Sequence, residues 1–242
     1  MLDDYTYIRN DISDTTTGMP LYHSILTGIA LGDGRIHSAL KKANVDKETG
    51  DMAIEELCEI GIIHKELSHK KFTSWSEDYK ISDKLLFNTP FMRFWFAFIS
   101  PLFKGVKEGD YKEVKKRFDN RKAGEVELVF TQLSVEVLKL LFKDDPIVES
   151  GSYWDKDVEI DIYAKTTSGK IIVGATSYSN AKMKKSSLTK LQEKCKAAKI
   201  EPDIYMLSSK NGYSNELKSL KSQTLKLLTL KNLKLLIDEN TP

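Results

Sequence analysis

The sequence predicts an α/β protein of two modules, and three observations carry that prediction. Residues 20–80 read as three short helices followed by a two-stranded hairpin, and residues 125–242 alternate helix with strand. Of the 242 residues, 40% are hydrophobic and 30% charged, the balance of a folded chain with a core of its own. A chain of this length buries roughly 70% of its extended surface on folding.

In the first module, Tyr22, Ile25, Leu26 and Ile29 recur at helical spacing and stop at Gly32 and Gly34. A second short helix is expected over Arg35 to Ala43. A third is capped by Asp46, carries Met52, Ala53, Leu57 and Ile60, and ends at Gly61. GIIHKEL and KFTSWSEDYKI supply the two extended pieces. Three helices and a wing are the order of a winged helix-turn-helix domain, placed here at residues 1–81. Its third helix holds six acids (Asp46, Glu48, Asp51, Glu55, Glu56, Glu59) against the single base Lys47, which repels it from a groove walled with phosphates. His64, Lys65, His69, Lys70 and Lys71 on the wing remain able to touch a backbone, and the acidic helix better suits a protein partner.

Residues 82–124 are expected to form linking helices whose aromatic stripe, Phe87, Phe91, Phe94, Trp95, Phe98 and Leu102, faces a core rather than bases. GVKEGDYKEVKKRFDNRKAGE then reads as a polar connector. The second module, 125–242, opens with a helix from about Val126 to Phe142, whose buried face is expected to hold Val126, Phe130, Leu133, Val137 and Leu140. A hairpin follows over Asp157–Thr166 and Lys170–Tyr178, turned at TSG. Then come a helix at Ser186–Lys199, a strand at Ile204–Leu207, a helix near Ser214–Leu220 and a strand at Leu225–Leu230.

Charge is unevenly spread. Residues 1–100 hold 11 bases and 15 acids, residues 151–242 hold 16 and 10, so the C-terminal end is the basic one. Cys58 and Cys195 stand far apart without a CxxC or Cys/His cluster and are expected as reduced thiols. The start MLDDYTYIRNDISD lacks the order of a secretory signal, and FWFAFISPLF is about half of what a bilayer demands. A cytoplasmic protein without a membrane partner is expected.

VEIDIYA puts Val158, Ile160 and Ile162 on one strand face and Glu159, Asp161 and Tyr163 on the other, so Asp161 is a candidate metal ligand. Alternate residues of KIIVGATSYS, among them Ala175 and Ser177, are expected beside it. A phosphodiesterase on this frame needs a second acid for Mg²⁺ and a lysine; Ala175 and Ser177 supply neither.

YKISD…FMRFWFAFI, VFTQLSVEVLKLL, YWDKDVEIDIYA, GKIIVGATSYSNAKM and MLSSKNGYSNEL resemble the uncharacterised domain found C-terminal to archaeal AAA-type ATPases and as stand-alone bacterial proteins. The likeness runs over about residues 20–230. It implies an N-terminal winged-helix-like domain and a C-terminal α/β/α restriction-endonuclease-like, PD-(D/E)xK domain, with a metal-dependent nuclease ancestry. Matched residue by residue, Asp161 keeps the strand acid, while Thr131 stands for the helix glutamate, Ala175 for the second strand acid and Ser177 for the lysine. Compensation is available from Glu127, one turn before Thr131, from Glu159, and from Lys182 or Lys184.

The expectation is a catalytically degenerate, nuclease-like module that binds nucleic acid or a protein partner. Lys182, Lys184, Lys185, Lys190 and Lys194 are its candidate nucleic-acid contacts, the DNA lying on the basic C-terminal domain and a protein partner on the acidic winged-helix-like one. No cofactor is expected in this state. The alternatives are an active endonuclease holding Mg or Mn at Asp161, and a regulatory adaptor of an ATPase encoded elsewhere, since the chain has no GxxxxGK[ST] loop. A homodimer is compatible with each.

Overall fold

The computed structural model describes residues 18–66 and 82–238, together with residues 9, 12, 16 and 68. The chain divides into two compact units, and the boundary between Lys122 and Ala123 falls inside one long helix.

The first unit begins with α1 (Pro20–Ala30), started by a proline whose missing N–H is no loss in the first turn. α2 (Ile36–Ala43) follows, and α3 (Lys47–Glu59) is capped by Asp46, which accepts from the Thr49 amide at 3.0 Å. α1 and α2 touch through Gly28, where a Cβ would lie 2.6 Å from the Ala39 carbonyl oxygen; only glycine lets the two backbones approach so closely.

β1 (Ile63–Glu66) pairs antiparallel with β2 (Lys84–Phe87), Ile63 opposite Phe87. The partner of β1 therefore begins after the KFTSWSEDYKI segment, which lies outside the described residues, as do His69, Lys70 and Lys71. Phe87, expected on the aromatic helix, ends β2. The rest of that stretch is a broken helix: α4 (Pro90–Phe94), a π-helical turn (Trp95–Ile99), a 3₁₀ turn (Ser100–Leu102) and α5 (Phe103–Lys107). All five residues of the π turn are buried, so this piece is covered all round, as a helix apolar on every side must be. They share one core with Ile25, Leu26, Ile54, Leu57 and Leu85. Phe96 stacks on Phe87 at 6.0 Å, and Phe98 meets Phe118 edge-on at 5.4 Å.

The 30-residue α6 (Lys112–Leu141) absorbs the polar stretch expected as a connector. Its lysines, glutamates, arginines and Ala123 are good helix formers, and Gly124 in its middle meets nothing that needs space.

In the second unit, β3 (Ile147–Trp154), β4 (Glu159–Thr166), β5 (Ile171–Ser177), β6 (Ile204–Ser209) and β7 (Leu225–Thr229) form one sheet in that order. The pairs β3–β4 and β4–β5 are antiparallel, whereas β5–β6 and β6–β7 are parallel. Parallel neighbours need a crossover; α7 (Lys185–Ala198) supplies the first and α8 (Asn215–Ser219) the second. Adjacent residues point to opposite faces: Val173 and Leu207 pack with Leu188, Leu191 and Cys195 of α7, Ile172 and Met206 with Val137 and Leu138 of α6. The result is a mixed sheet between helical layers.

Both cysteines are free thiols, and burial raises that of Cys195 to about 11. Among the described residues no helix is long and apolar enough to cross a membrane.

Candidate functional site

The site forms where α6 passes the ends of β4 and β5, and a bulge decides which side chains meet there. Tyr163 stands opposite Gly151 but Ile160 opposite Tyr153, so three steps of β4 match two of β3. An inserted residue reverses the alternation of faces beyond it. Ile160 consequently joins Val173 and Leu191, while Ile162 joins Val137 and Met206, although alternation alone puts both isoleucines on one face. Asp161 reaches the α6 face with Ile162, through Thr176.

There it meets Thr176 rather than the expected Ala175 and Ser177. The Asp161 Oδ2 accepts from the Thr176 amide at 2.9 Å and from its hydroxyl at 3.4 Å. From α6, Thr131 Oγ1 lies 2.7 Å from Thr176 Oγ1, and Glu127 Oε1 lies 3.5 Å from it. Glu127 Oε2 also accepts from the Tyr178 amide at 2.8 Å. Glu127 and Asp161 thus reach the same threonine from two elements, and each also accepts a backbone amide.

The polar contacts continue down α6. Glu127, Thr131 and Ser134 follow at helical spacing on one face, and the buried Ser134 hydroxyl meets that of Ser208 on β6 at 2.8 Å while donating to the Phe130 carbonyl. Leu133 and Val126, expected on the buried face, are exposed instead. Thr176, Tyr178, Ser134 and Ser208 are the residues that sequence reasoning missed. The only available signal was the spacing of Glu127, Thr131 and Ser134.

A cleft of about 360 Å³ opens beside this point, lined by Asp161, Ala175, Thr176, Ser177, Ser179 and Ser187 and by Lys182, Lys190 and Lys194. Lys184 and Lys185 are not among its walls: Lys184 is the N-cap of α7, and Lys185 pairs with Glu216 of α8 at 3.1 Å. Glu159 is exposed at the start of β4, in register with Trp154.

Mg²⁺ keeps several waters and is held by one or two carboxylates together with substrate phosphates; the acids here are Asp161 and Glu127, each accepting a backbone amide, of Thr176 and of Tyr178 respectively. Among the described residues no group of three or more His, Cys, Asp or Glu side chains gathers as a metal shell. The side chain that meets Asp161 from β5 is that of Thr176.

Residues 95–191, from the π turn into α7, match the model of the DUF234 family, described as archaea bacterial proteins of unknown function. No curated protein and no solved structure matches the chain.

Proposed function

We propose that this chain is a nuclease-like protein that binds nucleic acid through its second unit without cutting it. The α/β/α layering of that unit supports a restriction-endonuclease-like frame, and the three helices with their β1–β2 pair support a winged-helix-like first unit. The observation that carries the reading is the composition of the cleft, whose lining holds Lys182, Lys190 and Lys194 against one carboxylate, that of Asp161. Metal-assisted hydrolysis needs anionic oxygens that converge on a cation, and the cleft lining supplies one carboxylate. Holding a phosphate backbone needs only the cations.

Fluorescence anisotropy with labelled DNA over a range of salt concentrations tests it. The wild type should lose affinity steeply with salt. Lys182→Glu/Lys190→Glu/Lys194→Glu should bind at least tenfold more weakly, with a log–log slope shallower by about 2 to 3, near one unit per lost phosphate contact. Equal affinity and slope in the two proteins removes the cleft from the reading.

A protein partner on the first unit is a second reading, favoured by α3. Asp51 and Glu55 of that helix are paired with Lys47 and Lys65, and Tyr22 donates to Glu56, but Met52 and Ile60 stand exposed beside Glu59. An ATPase encoded elsewhere is the candidate the resemblance implies.

A further inference from the structure

The sheet face that packs on α6 is apolar in β4, β5 and β6, where Ile162, Ile172 and Met206 meet Val137 and Leu138. β7 alternates in step: Leu225 and Leu227 join the α7 side and Leu228 the α6 side. Lys226 therefore falls on the α6 side, in register with Met206. It is half-buried there. A lysine on an otherwise apolar sheet face is the exception to explain, because its stem can lie on that surface only if its charge finds water or a partner at the edge.

Beside Lys226 the structure leaves room. A cavity of about 520 Å³ opens between the C-terminal end of α6 and the starts of β6 and β7, and both Lys226 and Met206 line it. Leu138, Leu141, Phe142 and Ile204 extend its apolar wall, and the remaining lining is Lys170, Asp203, Gln223 and Thr224. Apolar walls with a few polar groups are the make-up of a small-molecule site, for which volumes run from about 300 to 1,000 Å³. Two of the three charged groups are already engaged: Lys170 pairs with Asp145 at 3.5 Å, and Asp203 Oδ2 accepts from the Ile171 amide at 2.8 Å. Lys226 differs. Its ammonium donates to the neutral Oε1 of Gln223 at 3.3 Å, and among the described residues no carboxylate pairs with it. Two further ammonium donors and the Gln223 amide N–H groups remain close together at that point.

We propose that this cavity binds a monocarboxylate with an unbranched apolar tail, the chemistry of a medium-chain fatty acid. The tail lies against Leu138, Phe142, Ile204 and Met206, and the carboxylate takes the Lys226 ammonium with Gln223 beside it. A single cation left without an acid suits a monoanion, whereas a phosphate would meet too little positive charge. The cavity lies at the starts of β6 and β7, the lysine cleft past the end of β5, and neither site depends on the other.

Equilibrium dialysis of the full chain against hexanoate, octanoate and decanoate tests the cavity. Each added CH₂ should tighten binding about fourfold, and 1-octanol and octylamine should bind at least tenfold more weakly than octanoate. Lys226→Gln should weaken octanoate at least tenfold, whereas Lys226→Arg should keep it, since a guanidinium retains the charge and fits a carboxylate. The alcohol and amine comparisons use the wild type and decide the matter should a variant fail to fold. No binding of the three acids, no gain with chain length, octylamine or 1-octanol matching octanoate, or equal affinity in Lys226→Gln overturns the proposal. Octanoate binding that weakens as the protein concentration rises also overturns it, and assigns the cavity to a second copy of the chain. Lys226→Gln should bind labelled DNA as the wild type does, and Lys182→Glu/Lys190→Glu/Lys194→Glu should bind octanoate as the wild type does, so failure of the cavity and failure of the cleft are told apart.

Discussion

The two faces of the sheet in the second unit are built from the same strands and differ in what covers them. Toward α7 the covering is apolar along the helix, with Leu188, Leu191 and Cys195 against Val173 and Leu207. Toward α6 it begins just as dry, with Val137 and Leu138 on Ile172 and Met206, and then becomes polar within three turns, through Ser134 on Ser208, Thr131 on Thr176, and Glu127 beside Asp161. One helix thus holds the sheet at one end and presents hydrogen-bonding groups at the other. Stability and chemistry are divided along α6 rather than between elements.

The dry contacts should carry the largest energies. Leu138→Ala and Leu191→Ala, one on each face, should each cost about 3 kcal/mol by denaturant unfolding. A loss below about 1 kcal/mol for Leu138 alone would mean that the α6 face is not packed as a core. At the polar end, Thr176→Val removes the hydroxyl shared by both carboxylates but leaves the backbone donors, and should cost about 2 kcal/mol. A stabilised variant there would contradict the bridging role. The hydroxyl pair between them ranks lower: Ser134→Ala should cost about 1 kcal/mol, and a double-mutant cycle with Ser208→Ala should show that the two losses are not additive.

The smallest effect lies at the exposed turn between β4 and β5. The Asp145 carboxylate accepts from the Ser168 hydroxyl and amide, which holds it at about 2, with Lys170 adding to the shift. A depressed acid stabilises the folded state above its unfolded value of 3.8, and that contribution fades as the pH falls toward about 2. Asp145→Asn should flatten the pH dependence of unfolding over that window, with a small loss of stability at pH 7 that vanishes as the pH nears 2. An unaltered acid limb would show that the contact contributes nothing.

Most of this layout was legible from periodicity. The strands β4 to β7, the helix α7 and the second half of α6 announce themselves because their apolar residues recur at short, regular spacing, whereas the polar first half of α6 reads as a connector. β3 does not: Glu149, Ser150, Gly151 and Ser152 interrupt it, and two irregularities break its register with β4. The site was half legible. Asp161, and Glu127 as the acid able to reach it, follow from type and spacing. Their meeting place at Thr176 does not, because the β4 bulge shifts the faces by one residue and no local residue pattern marks it. The buried Ser134 was hidden for a related reason, since helical spacing favours the adjacent Leu133, which the structure leaves exposed. Hydroxyls that satisfy one another across an interface carry no hydropathy signal at all.

Supercoiled plasmid incubated with the chain in Mg²⁺ and in Mn²⁺ tests most directly whether binding has replaced cleavage. The account predicts plasmid slowed on a native gel and recovered fully supercoiled after the protein is removed. Nicked or linear product that disappears with Asp161→Asn would contradict it.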